Sequence, residues 1–343
     1  MKKINALIFG STGYIGSQLV EMLYKHKYVN IKYLCGNTSV GKKLEYIDKS
    51  VKFKLPLIKK FKKKLLKDVD VIFTALPNGD SQKISKKLYK HNVLIDLSAD
   101  FRIKNSKIYE KWYRIKHSAK SNIKKSIYSI PEFVKKEVKK YKIISCPGCY
   151  PTSILIPLVP LIKNKLIKRN NIIIDSKSGY SGAGKGVHEK YKNKNLYESL
   201  SVYGIANHRH NPEIQQELKA RTNKLISFNF TPHLTPMFRG ILSTIYVDLE
   251  NNISQTKVLK TLISFYKNES FVKILKSDAL LSTNDVINTN NCYISVCKSK
   301  YSNKIIILSA IDNLIKGGAG QAVQNLNNKF NFSETTGLQW ENL

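Results

Sequence analysis

Acidic residues are scarce in this chain. Only 24 Asp and Glu stand against 58 Lys and Arg, giving a formal net charge of +34. Such an excess raises the question of nucleic-acid binding. The lysines, however, run through the whole chain, and the densest runs (Lys59-Lys60-Phe61-Lys62-Lys63-Lys64 and Lys135-Lys136-Glu137-Val138-Lys139-Lys140) flank helical-looking segments. They read as solvated faces, and no basic stripe with interleaved aromatics is present, so nucleic-acid binding is excluded as the main function. Enrichment in Lys, Asn and Ile is the mark of AT-rich codons. The charge still favours anionic small molecules, because clefts concentrate the field.

Cysteine is also rare. The five (Cys35, Cys146, Cys149, Cys292, Cys297) are odd in number and scattered, which excludes a disulfide framework and points to a reducing compartment, the cytoplasm. Long apolar runs are missing too. The most apolar segment, Ile154 to Ile162, is too short to span a bilayer and carries Pro157 and Pro160, so no membrane segment is expected. Lys2-Lys3 and the short apolar run Ile4 to Phe9 lead into glycines instead of a cleavage site, and read as a first strand. With 343 residues, of which 42% are hydrophobic, the chain is long enough for two domains with cores of their own.

The first of these domains opens with strand Ile4 to Phe9, glycine turn Gly10-Ser11-Thr12-Gly13-Tyr14-Ile15-Gly16 and amphipathic helix Ser17 to Lys25. This G-x-x-G-x-x-G spacing is a relative of the dinucleotide fingerprint, in which glycines let backbone N–H groups approach a pyrophosphate at a helix N-terminus. A second strand, Ile31 to Cys35, ends without the Asp or Glu that would hold a ribose 2′-hydroxyl in an NAD site. Thr38, Ser39, Lys42 and Lys43 follow instead, hydroxyls and cations suited to a 2′-phosphate, which favours NADP. Further strands, Asp70 to Thr74 and Val93 to Leu97, alternate with helices. The fold class is therefore α/β, a Rossmann-type doubly wound parallel sheet with ligands at the carboxyl ends of its strands. Arg102 falls on that rim, either as a bidentate clamp for phosphate or carboxylate or as a salt-bridge partner of Asp96 or Asp100.

The stretch Ile143 to Ser153 carries the chemistry. Pro147-Gly148 breaks a strand, Cys149 sits in the bend, and Pro151 suits the start of a helix. A free cysteine is only about 3% thiolate at neutral pH, and a helix N-terminus raises that fraction. Cys149 is thus a nucleophile by position, although Cys146-x-x-Cys149 also fits a dithiol redox motif. Pro157 and Pro160 are expected to kink or end this helix.

The second domain is read as α+β. Strand Asn171 to Asp175 enters a glycine loop, Ser176 to Gly186, which resembles a P-loop but has Gly186 where Ser or Thr would hold Mg²⁺, so ATP binding is rejected. In His208-Arg209-His210-Asn211-Pro212-Glu213, Asn211 is a good N-cap and Pro212 a good first helical residue. Four-ligand zinc spacing is absent, so no metal is assigned, and one histidine is given the acid/base role. Spacing alone does not separate His208 from His210. Near the end, Asp312 to Leu326 reads as a small-residue turn entering a helix that returns to the first domain.

Taken together, the Gly10-to-Gly16 turn, Pro147-Gly148-Cys149-Tyr150-Pro151-Thr152, His208-Arg209-His210 with Pro212-Glu213, Thr231-Pro232-His233-Leu234 with Pro236-Met237 and Arg239-Gly240, and the Asp312-to-Asn325 tail resemble the N-acetyl-gamma-glutamyl-phosphate reductases of the aspartate-semialdehyde dehydrogenase-like superfamily. The match spans the chain in order. It implies NADPH-dependent reduction of N-acetyl-L-glutamyl 5-phosphate to the semialdehyde in arginine biosynthesis, by a homo-oligomer, a dimer or tetramer. Carried over by position, Cys149 forms a thioester, His208 (first choice) or His210 handles protons, and Glu213 orients one of them. Arg102, Arg209, His233 and Arg239 bind substrate. Gly10, Ser11, Thr12, Gly13, Tyr14, Ile15, Gly16, Thr38, Ser39, Ser181, Gly182, Asn313 and Lys316 bind NADP. The implied layout is an NADP-binding domain over residues 1–148, a catalytic and oligomerisation domain over 149–312, and a C-terminal helix over 313–343. Aspartate-semialdehyde dehydrogenase shares the nucleotide loop and cysteine, but His208-Arg209-His210 argues against it. A thiol-disulfide oxidoreductase would leave the nucleotide domain without a purpose.

Overall fold

The computed structural model describes residues 3–49, 51–186, 198–301 and 303–339. The chain forms two compact units, residues 1–147 with 318–343, and residues 148–317. Asn313 and Lys316 therefore fall in the second unit, and the return to the first begins at Gly318.

The first unit is built on strands β1 (Ile4–Phe9), β2 (Val29–Cys35), β3 (Ile58–Lys59), β4 (Val71–Thr74), β5 (Val93–Asp96), β6 (Ser126–Tyr128) and β7 (Ile143–Ser145). Their order is β3-β2-β1-β4-β5-β7-β6, and every pair is parallel. In β4, β5 and β7 consecutive residues are buried, the mark of strands covered on both faces. Helix α1 (Tyr14–Lys25) follows β1 and buries Leu19, Val20, Met22 and Leu23. Strand order reverses at the β1/β4 junction, which opens a crevice beyond their carboxyl ends. The helix Gly320–Phe330 also belongs to this unit. Its Asn327 Oδ1 meets Nε2 of the buried His26, at the end of α1, at 2.8 Å.

The second unit holds a mixed sheet. Its strands are β8 (Ile172–Gly179), β9 (Ser201–Val202), β10 (Phe228–Thr235), β11 (Ile241–Asp248), β12 (Val272–Ile274), β13 (Cys292–Lys298) and β14 (Lys304–Ile311), in the order β12-β13-β14-β11-β8-β10-β9. Helices α3 (Cys149–Lys163), α4 (Asn211–Thr222) and α5 (Gln255–Tyr266) lie in this unit, while α2 (Asp80–Ser85) lies in the first. Burial alternates along β8 and β11 as expected for a sheet with one covered face. On the covered side, Ser153 of α3 meets Ser243 at 2.8 Å, and Ser243 meets Ser176 at 2.7 Å, so small hydroxyls let the helix lie close to the strands. On the other side, Ile173 and Tyr246 stay 42% and 43% exposed.

Helix α3 departs from the sequence-based expectation. It runs unbroken through Pro157 and Pro160. Proline at 160 removes the N–H that would have bonded the Ile156 carbonyl, and the buried Tyr266 hydroxyl of α5 donates to that oxygen instead, at 2.5 Å. Its first helical residue is Cys149, with Gly148 as N-cap, so Pro151 falls in the first turn and not at its head. Helix α4 is likewise offset by one. His210 is its N-cap, Asn211 its first residue and Pro212 its second.

Candidate active site

In the first unit, the glycine turn is dictated by close packing. Gly10 has φ +76°, and a methyl there would stand 2.1 Å from the Ala75 carbonyl oxygen. A methyl on Gly16 would stand 2.0 Å from the Gly10 carbonyl oxygen, so only glycine lets α1 start this close to β1. The Gly13 N–H donates to Gly10 O and Gly13 caps α1. Beside this turn lies a cavity of about 550 Å³ whose walls include Gly10 to Gly13, Thr38, Ser39, Phe61, Lys83 and Lys87. Thr38 and Ser39 thus stand where the sequence puts them. Lys42 and Lys43 do not line the cavity, and Lys43 pairs with Glu45 at 3.3 Å. Lys83 and Lys87 line it instead, from and just beyond α2, with Lys83 paired to Asp80 of the same wall at 2.8 Å. Nothing in the β2 region pointed to them, because they arrive from a different crossover.

Arg102 is buried, and its guanidinium is anchored on backbone. Nε donates to Cys146 O at 2.9 Å and Nη2 to Leu97 O at 3.0 Å. Asp96, fully buried, accepts from Thr74 Oγ1 and Ser98 Oγ. Burial, with the nearby Asp100 charge, raises its pKa to about 6. Cys146 is 1% exposed, and burial together with Asp96 pushes its thiol up to about 12. It is a poor thiolate.

The second unit gathers Cys149, Tyr150, His208, His210 and Glu213. Cys149 is half-buried at the head of α3, at the positive end of the helix dipole. Glu213, fully buried in the first turn of α4, accepts the Gly148 N–H through Oε1 at 2.7 Å, and so holds the residue just before the nucleophile. The buried Tyr150 packs edge-on against His208 and His210, with centroids at 5.5 and 6.0 Å. Its hydroxyl takes a hydrogen bond from Tyr203 at 3.0 Å and donates to the His233 carbonyl at 3.3 Å.

The two histidines are not equivalent. The His210 N–H donates to His208 Nδ1 at 3.1 Å, which places the proton of a neutral His208 on Nε2. Burial, helped by the Arg209 charge, lowers the His208 pKa to about 4, so it is neutral near pH 7. The other expected residues are spread more widely. Arg209 is exposed. His233 stands beside Lys177 of β8 in the sheet, and its Nδ1 lies 3.0 Å from Asp175 Oδ1. Arg239 pairs with the buried Asp312 at 3.2 Å. The Asn313 amide bridges inside the unit, accepting from Gly240 N at 2.7 Å and donating to Ser181 Oγ at 2.9 Å. Gly182 lies against Ser178 and Asn313. Lys316 is fully buried, its Nζ 5.5 Å from the Phe271 ring centroid.

A parallel-sheet unit with a glycine turn, joined in one chain to a mixed-sheet unit presenting a cysteine at a helix head, defines an oxidoreductase of the semialdehyde dehydrogenase class. The family model described as "Semialdehyde dehydrogenase, NAD binding domain" matches residues 5–141, and "Semialdehyde dehydrogenase, dimerisation domain" matches residues 149–313. Among solved structures, aspartate semialdehyde dehydrogenase II of Vibrio cholerae shares the fold, with TM-score 0.71 at 17% identity over 96% of this chain and 99% of that one. The Candida albicans enzyme solved with NADP gives TM-score 0.67 at 17% identity, over 95% of this chain and 98% of that one. Within that class, the chain belongs to the N-acetyl-gamma-glutamyl-phosphate reductase family. It is 42% identical to the reductase of Ehrlichia canis over 98% of this chain and 97% of that one. It is 40% identical to the probable chloroplastic reductase of Arabidopsis thaliana, over 98% of this chain and 84% of that one.

Proposed function

We propose that the protein reduces N-acetyl-L-glutamyl 5-phosphate to N-acetyl-L-glutamate 5-semialdehyde and phosphate, with NADPH, in arginine biosynthesis. The observation that carries this reading is Cys149 at the first position of α3 with the preceding N–H held by the buried Glu213 carboxylate. Cys149 Sγ attacks the acyl carbon, the bond to the phosphate oxygen breaks, phosphate leaves and a thioester forms. NADPH, when bound, supplies the hydride that reduces the thioester carbon. The resulting thiohemiacetal collapses by breaking its C–S bond, which returns the thiolate and releases the aldehyde.

His208 and His210 are the two candidates for proton transfer in these steps, and His208, neutral near pH 7 with Nδ1 accepting the His210 N–H, presents Nε2–H as a hydrogen-bond donor. Arg102 and Arg239 are the arginines offered for the phosphate and carboxylate, with the exposed Arg209 a third. The glycine turn and the cavity walls fit a dinucleotide: backbone N–H groups at the head of α1 for the pyrophosphate, and Thr38, Ser39, Lys83 and Lys87 for a 2′-phosphate. No carboxylate stands at the end of β2 to favour NAD, which supports NADP. The open face of the second sheet, with Ile173 and Tyr246 exposed, is the surface we assign to homo-oligomer formation.

The test follows NADPH absorbance with N-acetyl-glutamyl phosphate, or the reverse reaction from the semialdehyde, NADP and phosphate, under reducing conditions. Wild type turns over, Cys149→Ser loses at least about 10⁴-fold, and Cys146→Ser retains activity. Equal loss in both variants would restore the dithiol reading. Turnover with aspartyl phosphate but not the acetylated substrate would move the protein to the neighbouring enzyme.

A further inference from the structure

One contact in the second unit has no part in the chemistry above. Residues Ile315–Ala319 form a π-helical turn, a rare element that recurs at functional sites. Gly317, within it, lies directly against the nucleophile: a methyl added there would stand 2.6 Å from Cys149 Cβ and 3.1 Å from Cys149 Cα. Real Cβ atoms do not approach so closely, so the turn is a wall behind the cysteine that only glycine can form.

Asp312 holds that wall in place. It is fully buried, and its Oδ1 accepts from Leu314 N at 2.8 Å and Ile315 N at 3.3 Å, while its carbonyl accepts from Gly317 N at 2.9 Å. Its other oxygen, Oδ2, accepts from Asn288 N at 2.8 Å and pairs with Arg239 Nη1 at 3.2 Å. A single carboxylate therefore fixes both the turn that backs Cys149 and the arginine offered to the substrate.

We infer that Gly317 and Asp312 are positioning residues for the acyl-transfer step: Gly317 sets the direction of the Cys149 side chain by closing the space behind its Cβ, and Asp312 keeps that wall and Arg239 in register. The inference rests on the reading of Cys149 as the nucleophile. The geometry itself does not, and can be tested without turnover.

The experiment measures iodoacetamide alkylation of each cysteine in the intact, substrate-free protein by mass spectrometry, alongside kcat and KM. In Gly317→Ala, alkylation of Cys149 changes by more than about threefold, while the half-buried Cys297 and the buried Cys35 and Cys292 react as in wild type. The same variant loses at least about tenfold in kcat with KM within about twofold, the pattern of a misplaced reacting group. In Asp312→Asn, which keeps an oxygen for the turn but weakens the ion pair, KM for the acyl phosphate rises at least about fivefold and Cys149 alkylation stays near wild type. Unchanged Cys149 alkylation in folded Gly317→Ala overturns the wall, and unchanged KM in Asp312→Asn overturns the link to Arg239. If Gly317→Ala unfolds, with all five cysteines exposed, Cys149 alkylation in Asp312→Ala, which frees the turn from its carboxylate without adding a methyl against the cysteine, and the Asp312→Asn kinetics decide, and wild-type values in both reject the proposal. If wild type shows no turnover at all, the nucleophile reading falls, while the alkylation pattern still judges the geometry.

Discussion

In the first unit every strand pair is parallel and the central strands are buried residue after residue, so chemistry is confined to the loops at their carboxyl ends. In the second unit the sheet is mixed, its burial alternates, and the reactive groups come from helices and turns, with the opposite face left open. The first design keeps its ligand site local in sequence: strand, glycine turn and helix follow one another. The second assembles its site from positions as distant as Gly148, Glu213 and Gly317. Local sites are read from spacing, and assembled sites from geometry.

The sharpest way to break this contrast is to damage the local site alone. Gly16→Ala forces a methyl against the Gly10 carbonyl, and we expect a loss of about 3 kcal/mol in the stability of the first unit, measured by urea unfolding. Dinucleotide binding should fall with it, while Cys149 alkylation is spared. A result in which alkylation collapses equally would mean the two units do not fail independently.

Next in size is a pH effect confined to the second unit. The folded pKa of His208 is about 4 against an ordinary 6.5, so the native state binds fewer protons than the unfolded chain between those values. Stability from this group is present above about pH 6.5 and is lost as the pH falls towards 4. Between about pH 7.5 and pH 5 the loss is about 2 kcal/mol, and unfolding titrations of His208→Gln should show that part of the slope removed.

A smaller effect separates the two nicotinamide cofactors. Lys87→Ala should raise KM for NADPH about tenfold, or about 1.4 kcal/mol, and leave KM for NADH unchanged. Equal effects on both would remove Lys87 from the 2′-phosphate. Smallest of all, Tyr266→Phe takes away the donor to the Ile156 carbonyl and should cost about 1 kcal/mol in thermal or urea unfolding.

How much was legible follows the same division. The glycine turn, the missing acid after β2 and the cysteine at a helix head were readable, because each is set by neighbours within a few residues. The continuation of α3 through two prolines was not, since the compensating hydroxyl of Tyr266 lies on another helix. The cavity lysines were missed for a like reason: Lys83 and Lys87 come from another crossover. Spacing brought His208 and His210 together but could not rank them. In the structure both rings are buried, and the His210 N–H to His208 Nδ1 bond fixes the tautomer of His208 without ranking the pair. Glu213 was placed beside the histidines by sequence, and its bond to Gly148 N ties it to the cysteine's own turn.

The Pro160 and Tyr266 pairing also bears on the history of this chain. A proline in mid-helix is tolerated here because a hydroxyl 106 positions later answers the carbonyl it leaves behind. The two residues are thus epistatic. In a background with an amide-bearing residue at 160, phenylalanine at 266 would be close to neutral; once proline is fixed, the same change is harmful. The order in which such substitutions arise is therefore constrained, and lineages carrying the proline are expected to hold the tyrosine long after sequence elsewhere in α5 has drifted.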